Sequence, residues 1–324
     1  METRITQMLG IKYPIFQGAM AHVSSTFHLP AAVSNAGGLG ILATGSQMKS
    51  EELRSQIRLL KEHTDAPYGV NVVATHPHLE EILETIAEEG AFVATYGIGN
   101  PEKIIRALKP SGIKCIPVIP SLKWAVRAEQ DGADALIIEG MESGGHVGYI
   151  ATLPLVPQVV DAVNIPIVAA GGIADARGLV AALALGAEGI QMGSRFIVTK
   201  ESRVPTLTKR AIVEASIEDT VITGNITGLR CRVLNNSLAK EMLKLEKRGA
   251  SREMARFGSG KMYSAFVEGN PVNGSVMLGQ VCGMIREELS VRDLLEQTIH
   301  EATNIIGSMK RKFYFAPHSD SSNV

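Results

Sequence analysis

Eight short apolar runs, separated by segments with helical spacing, constrain this chain more than any other feature. They fall at 13–17, 38–42, 69–73, 92–95, 115–119, 135–138, 165–170 and 189–192. Each is short and rich in β-branched or other apolar residues, which reads as a buried strand. Between them the spacing predicts helices, for example through Leu53, Ile57 and Leu60 behind Ser50 as N-cap, and through Leu79, Ile82, Leu83 and Ile86. Strands alternating with helices predict an α/β fold with a parallel sheet. Their number favours a closed (β/α)8 TIM barrel, with an open doubly wound sheet as the alternative.

In a barrel, chemistry gathers at the C-terminal ends of the strands. Small or polar residues follow the runs repeatedly: 17–20, Thr44 and Gly45, Asn71, 97–100, Ser121, 139–148, Gly171 with Gly172, and Gly193 with Ser194. The segment Glu139-Gly-Met-Glu-Ser-Gly-Gly-His-Val-Gly148 places one histidine, His146, among four glycines. These neighbours leave the imidazole unshielded, and its ordinary pKa of about 6.5 lets it give or take a proton at neutral pH. Two later loops, 168–175 and 191–195, have glycines at the ends of the seventh and eighth runs. Such loops bind phosphate through backbone N–H groups and a helix N-terminus; the alternative is a pair of tight turns.

The remaining motifs exclude more than they indicate. His22 and His28 border the expected mouth, His63 and His300 fit solvated helix faces, and His76-Pro-His78 reads as a surface loop. No His or Cys spacing supports a metal, so none is expected. Neither a G-x-S-x-G elbow nor a G-x-G-x-x-G fingerprint after the first strand is present.

After Lys200 the rhythm changes, which predicts a smaller, mostly helical insertion over the barrel mouth. The expected division is a barrel over 1–204, a substrate or lid domain over 205–285, a docking helix over 286–316 and a disordered tail over 317–324. Ser290 and Asp293 form a capping box for that helix, ahead of an apolar stripe through Val291, Leu294, Leu295, Ile299, Ala302, Ile305 and Ile306. Within the insertion, Arg230, Arg232, Lys240, Lys244, Lys247, Arg248, Arg252 and Arg256 stand against Glu241, Glu246 and Glu253. That run is a solvated helix face or a docking patch for an acidic partner.

Totals set the outer limits. A net charge of −1 over 324 residues gives no electrostatic case for nucleic acid or an anionic membrane. Three scattered cysteines, Cys115, Cys231 and Cys282, indicate no disulfide framework. With no apolar signal region at the start and no membrane-length apolar stretch, the expected location is the cytoplasm.

The motifs at 14–21, 32–40, 69–71, 139–148, 169–175 and 193–196 together resemble the nitronate monooxygenase superfamily of FMN-dependent barrels. Within it, 139–141, 200–202 and 274–280 are similar to the bacterial enoyl-acyl-carrier-protein reductase II branch. The likeness runs in order along nearly the whole chain. It implies FMN with its phosphate at Gly171, Gly172, Gly193 and Ser194. Asn71, Gln191 and the residues around Gly18, Ala19, Met20, Ser143 and Gly144 would border the rest of the cofactor, with Glu139, Met192 and Met277 in the same set. It also implies that NADH or NADPH reduces FMN, that hydride passes to a trans-2-enoyl thioester, and that His146 is the acid/base residue. The substrate would be borne by acyl carrier protein or CoA, and the assembly would be a homodimer. His22, Tyr96 and Ile98 depart from the family pattern near the expected mouth, which bears on specificity. The rivals are a nitronate monooxygenase, with His146 as base, and a flavin-binding protein without turnover.

Overall fold

The computed structural model describes residues 1–97 and 102–312; Ile98, the rest of the turn after Gly97 and the tail at 317–324 lie outside them. Its strands are β1 (Ile15–Gln17), β2 (Gly40–Ala43), β3 (Tyr68–Val73), β4 (Val93–Gly97), β5 (Lys114–Ile119), β6 (Leu136–Glu139), β7 (Gly145–His146), β8 (Ile167–Ala170), β9 (Gly189–Met192), β10 (Thr220–Thr223) and β11 (Cys231–Leu234). Eight of them form one parallel sheet in the order β1-β9-β8-β6-β5-β4-β3-β2. A bridge between Phe16 and Leu39 joins its two ends, with Gln17 N–H donating to the Leu39 carbonyl at 3.0 Å. The sheet is therefore the predicted (β/α)8 barrel, not the open alternative.

Period-two alternation divides the strand residues between two cores. Phe16, Leu39, Ile41, Val93, Ile116, Ile137, Val168 and Ala170 pack together, with Ile5 and Leu9 of the helix Arg4–Leu9 closing the end from which the strands start. Their neighbours Ile15, Leu42, Val70, Val72, Ala94, Leu136, Ile138, Ala169, Ile190 and Met192 join the core shared with the surrounding helices. Tyr96 belongs to that outer core too, 2% exposed, so it lies within the packing and not at the mouth. His76 is likewise buried, at 5% exposure, where a surface loop was expected.

The outer ring consists of His28–Asn35, Ser50–His63, Leu79–Glu88, Glu102–Leu108, Leu122–Gln130, Thr152–Val160 and Ala176–Ala184, completed by Val291–Lys312. This last helix packs against Ala176–Ala184 and His28–Asn35, the position of the barrel's eighth helix. Its start is set by Asp293 N–H donating to Ser290 Oγ at 3.1 Å, and Val291, Leu294, Leu295 and Ala302 are buried along its stripe.

The insertion thus occupies the connection after β9. A parallel bridge between Thr199 and Leu289 stands at its neck, where this segment leaves the barrel and returns to it. Helices Thr206–Glu214, Ser237–Lys247, Ser251–Gly258 and Lys261–Phe266 make up most of it. The part that meets the barrel is not helical, however: β10, β11 and β7 form an antiparallel sheet. No described helix is long and apolar enough to cross a membrane.

Candidate active site

A cleft open to solvent lies at the C-terminal ends of β1, β8 and β9. Gly18, Ala19, Met20, Ser143, Gly144, Gly171, Gly172, Gln191, Gly193 and Ser194 line it from the barrel, and Met277 lines it from the insertion. All of these were predicted. Asn71, Glu139, Met192 and His146 were predicted as well, but they do not line the cleft.

Alternation explains three of the four. Gln191 points into the barrel, so its neighbour Met192 must point outward, into the helix-facing core where it is fully buried. The Met192 side chain therefore packs away from the cleft. Asn71 lies on the inner wall, its Nδ2 donating to Thr95 Oγ1 at 2.9 Å across β3 and β4. Glu139 ends β6 two residues beyond inward-facing Ile137. Burial pushes its carboxyl up to about 7, with the neighbouring Ser143 hydroxyl pulling the other way. The Ser143 hydroxyl is buried and forms no hydrogen bond of ordinary geometry.

The two glycine loops leave donors free. Gly171 and Gly172 have φ of 87° and 74°, a region that glycine enters without strain. A side chain at Gly171 would also sit 2.9 Å from the Gly140 carbonyl oxygen. Among the described residues, the N–H groups of Gly171, Gly172, Gly193 and Ser194 donate to no loop carbonyl. At the start of the helix Ala176–Ala184, Asp175 accepts from Arg177 N–H at 2.9 Å. The second glycine loop runs into the short turn Ser194–Ile197.

His146 is held by partners far away in sequence. In β7 it lies opposite Cys231 of β11, with Gly145 opposite Arg232. Val147 N–H donates to the Arg230 carbonyl at 3.1 Å. The buried Arg232 donates from Nε and Nη2 to the Met141 carbonyl at 3.1 and 3.0 Å, and from Nη1 to Thr220 Oγ1 at 3.1 Å. Arg230 donates to the Gly148 carbonyl at 2.8 Å, and its guanidinium lies 3.7 Å from the centre of the Tyr149 ring. These two arginines are neither a solvated helix face nor a docking patch; they clamp the histidine loop. His146 is exposed to solvent, while desolvation by the protein beside it lowers its pKa. Burial pushes the Cys231 thiol up to about 11, so it stays neutral beside the histidine.

Glu142, Ile173, Ile197, Gly279 and Val281 also line the cleft and were not predicted as site residues. Glu142 accepts from Thr152 N–H at 3.0 Å and Thr152 Oγ1 at 2.9 Å, which places a carboxylate at the start of the helix Thr152–Val160. Gly279 N–H donates to Ser194 Oγ at 2.9 Å, tying the insertion to the second glycine loop. Glycine spacing could have flagged Gly279. Nothing local marks Glu142 as a helix cap.

The nitronate monooxygenase family model matches residues 2–301. The chain is 34% identical over 347 residues to (3aS,4S,5R,7aS)-5-hydroxy-7a-methyl-1-oxo-octahydro-1H-indene-4-carboxyl-CoA dehydrogenase of Rhodococcus jostii, covering 95% of this chain and 98% of the relative. It is 37% identical to a probable nitronate monooxygenase of Staphylococcus saprophyticus, covering 75% and 81% respectively. Among solved structures, FabK from Thermotoga maritima is 43% identical with a TM-score of 0.94, covering 97% of this chain and 100% of that one. The chain therefore belongs to the nitronate monooxygenase family, a family of flavin-dependent oxidoreductases.

Proposed function

We propose that this protein is an FMN-dependent enoyl-acyl-carrier-protein reductase that uses NADH or NADPH to reduce trans-2-enoyl thioesters in fatty acid elongation. The observation that carries this reading is the extent of likeness. FabK matches 97% of the chain at 43% identity, and the Rhodococcus relative, named for a carboxyl-CoA, matches 95%. The Staphylococcus saprophyticus monooxygenase matches 75%.

The residues present fit FMN. The free N–H groups of Gly171, Gly172, Gly193 and Ser194 would hold its phosphate, as backbone donors at loop and helix starts hold anions. Gln191, the Ser143 hydroxyl and the backbone at Gly18, Ala19, Met20 and Gly144 would border the remainder, with Met277 covering it against water. Asn71 and Glu139 would act from the inner wall. Such a cofactor would supply the hydride-carrying chemistry between a nicotinamide and the β-carbon of the thioester. His146 would carry a proton on an imidazole nitrogen and give it to the α-carbon.

Anaerobic stopped-flow mixing with NADH or NADPH, then with crotonyl thioester, tests the reading. The expected result is bleaching of the flavin by a nucleotide and return of its colour with the thioester. Failure of either phase overturns it. The family match and the Staphylococcus relative favour a second reading, nitronate monooxygenase, in which His146 takes a proton from a nitroalkane. Flavin bleaching by propionate 3-nitronate without any nucleotide would support that reading.

A further inference from the structure

We infer that the helices Ser237–Lys247 and Ser251–Gly258 form the docking surface for an acidic carrier protein that delivers the acyl thioester. The inference rests on the reductase reading and adds a place for its partner. Between residues 230 and 261, nine Lys or Arg stand against three Glu, a net of +6 in a chain whose total is −1. After the two clamping arginines are set aside, these helices and Arg248 between them carry +3 of the remaining +4.

The cations are arranged, not scattered. Lys240, Lys244 and Lys247 recur at i, i+4 and i+7 and are exposed along one stripe, while Leu238 and Leu245 are buried on the other side. Arg252 and Arg256 repeat the pattern on the second helix, opposite buried Met254. Lys244 pairs with Glu241 at 2.6 Å. Among the described residues Lys240, Lys247, Arg248, Arg252 and Arg256 have no acidic partner. Of the other acids, Glu246 turns a carboxylate oxygen inward, where it is buried, and Glu253 is exposed.

Unpaired surface charge of one sign steers a partner of the other sign and sets its orientation. The extent of the patch indicates the kind of partner. The first helix alone spans about 16 Å at 1.5 Å per residue, wider than the phosphate cluster of one nucleotide needs and suited to an acidic protein face. The patch is also close to the cleft. Asn236, which caps the first helix, donates from Nδ2 to the Gly274 carbonyl at 2.7 Å, three residues before cleft-lining Met277. A protein docked there would bring a tethered thioester to the insertion's edge of the cleft.

The test uses the FMN-loaded protein and compares crotonyl-acyl carrier protein with crotonyl-CoA. The variant Lys247→Glu/Arg248→Glu/Arg252→Glu should raise KM for the carrier-borne substrate at least tenfold and leave KM for the CoA-borne one within twofold. The milder Lys247→Gln/Arg252→Gln should show the same selectivity at smaller size, and Lys123→Glu, on a barrel helix, should show neither effect. Equal changes for both substrates, or none, overturn the inference. Titration of carrier protein by calorimetry reads the surface without turnover. Unaltered binding by the triple variant sinks the docking surface even if the reductase activity holds. Wild-type binding lost in the variant, without enoyl turnover of either substrate, sinks the reductase reading instead.

Discussion

The His146 imidazole is a weaker base than free histidine because the protein packed around it disfavours the charged form. Its folded pKa lies below 6.5, so near pH 7 the free protein holds it mainly neutral, and the protonated fraction falls as pH rises. Reduction of an enoyl thioester needs the protonated form, so kcat/KM should fall with rising pH along a limb whose midpoint lies below 6.5. Deprotonation of a nitroalkane needs the neutral form, so that activity should rise along the same limb. A profile from pH 5 to 9 with each substrate checks the sign. His146→Ala should abolish the limb and cut turnover by about 10²- to 10⁴-fold while flavin absorbance shows FMN still bound. Glu139, pushed up to about 7, titrates in the same window. Glu139→Gln should therefore leave the histidine limb in place, and a limb that vanishes with Glu139 would reassign it. At this scale the sequence was informative where chemistry is local: glycines at 171 and 172 announced a loop with positive φ, and glycines around His146 announced an open imidazole. It did not show that the Met192 side chain faces the helices, because membership of a motif says nothing about which side of a strand a residue faces. It misassigned His76 because a proline-flanked pair reads the same whether packed or free.

Between elements, the two-residue β7 depends on β11 for its position. Arg232 spans the gap, with one end on the Met141 carbonyl and the other on Thr220. Removing a buried donor of this kind leaves the carbonyl unsatisfied at about 1–3 kcal/mol. Arg232→Met should therefore lower stability by that order in urea unfolding and lower kcat more than it weakens FMN, because the loop that carries His146 loses its brace while the glycine loops keep theirs. Arg232→Lys should restore little of kcat, since an ammonium lacks the planar fork that reaches both acceptors. A kcat unchanged in both variants would reduce Arg232 to a packing role. The eight barrel strands were legible because each is a continuous apolar run. This brace was not, because β7 is too short for any periodicity and its partner lies more than eighty residues away. Arg230 and Arg232 looked like part of a solvated basic helix because charge spacing does not distinguish a strand that ends just before a helix from the helix itself.

For the molecule as a whole, the cleft is a joint product of barrel and insertion, since Met277, Gly279 and Val281 form one wall and the glycine loops the other. Two polar ties hold the walls in register. Gly279 N–H reaches Ser194 Oγ at 2.9 Å. At the neck, the buried Lys209 donates from Nζ to the Thr199 carbonyl and to Glu288 Oε1, both at 2.6 Å. That ammonium connects the first insertion helix to the segment leaving the barrel and to the segment returning to it. The C-terminal helix then completes the barrel ring, so the barrel cannot close its last position until the insertion has been traversed. Unfolding should accordingly be one cooperative event. Lys209→Met leaves the carbonyl and the carboxylate without their shared partner, and the neutral side chain should lower stability by about 1–3 kcal/mol. In urea, followed by far-UV circular dichroism and by flavin fluorescence, the two probes should shift together to a lower midpoint with unchanged slope. If flavin release preceded the loss of helix in Lys209→Met, the insertion would be a separately melting lid, and the neck lysine would be the link that normally prevents it from opening alone.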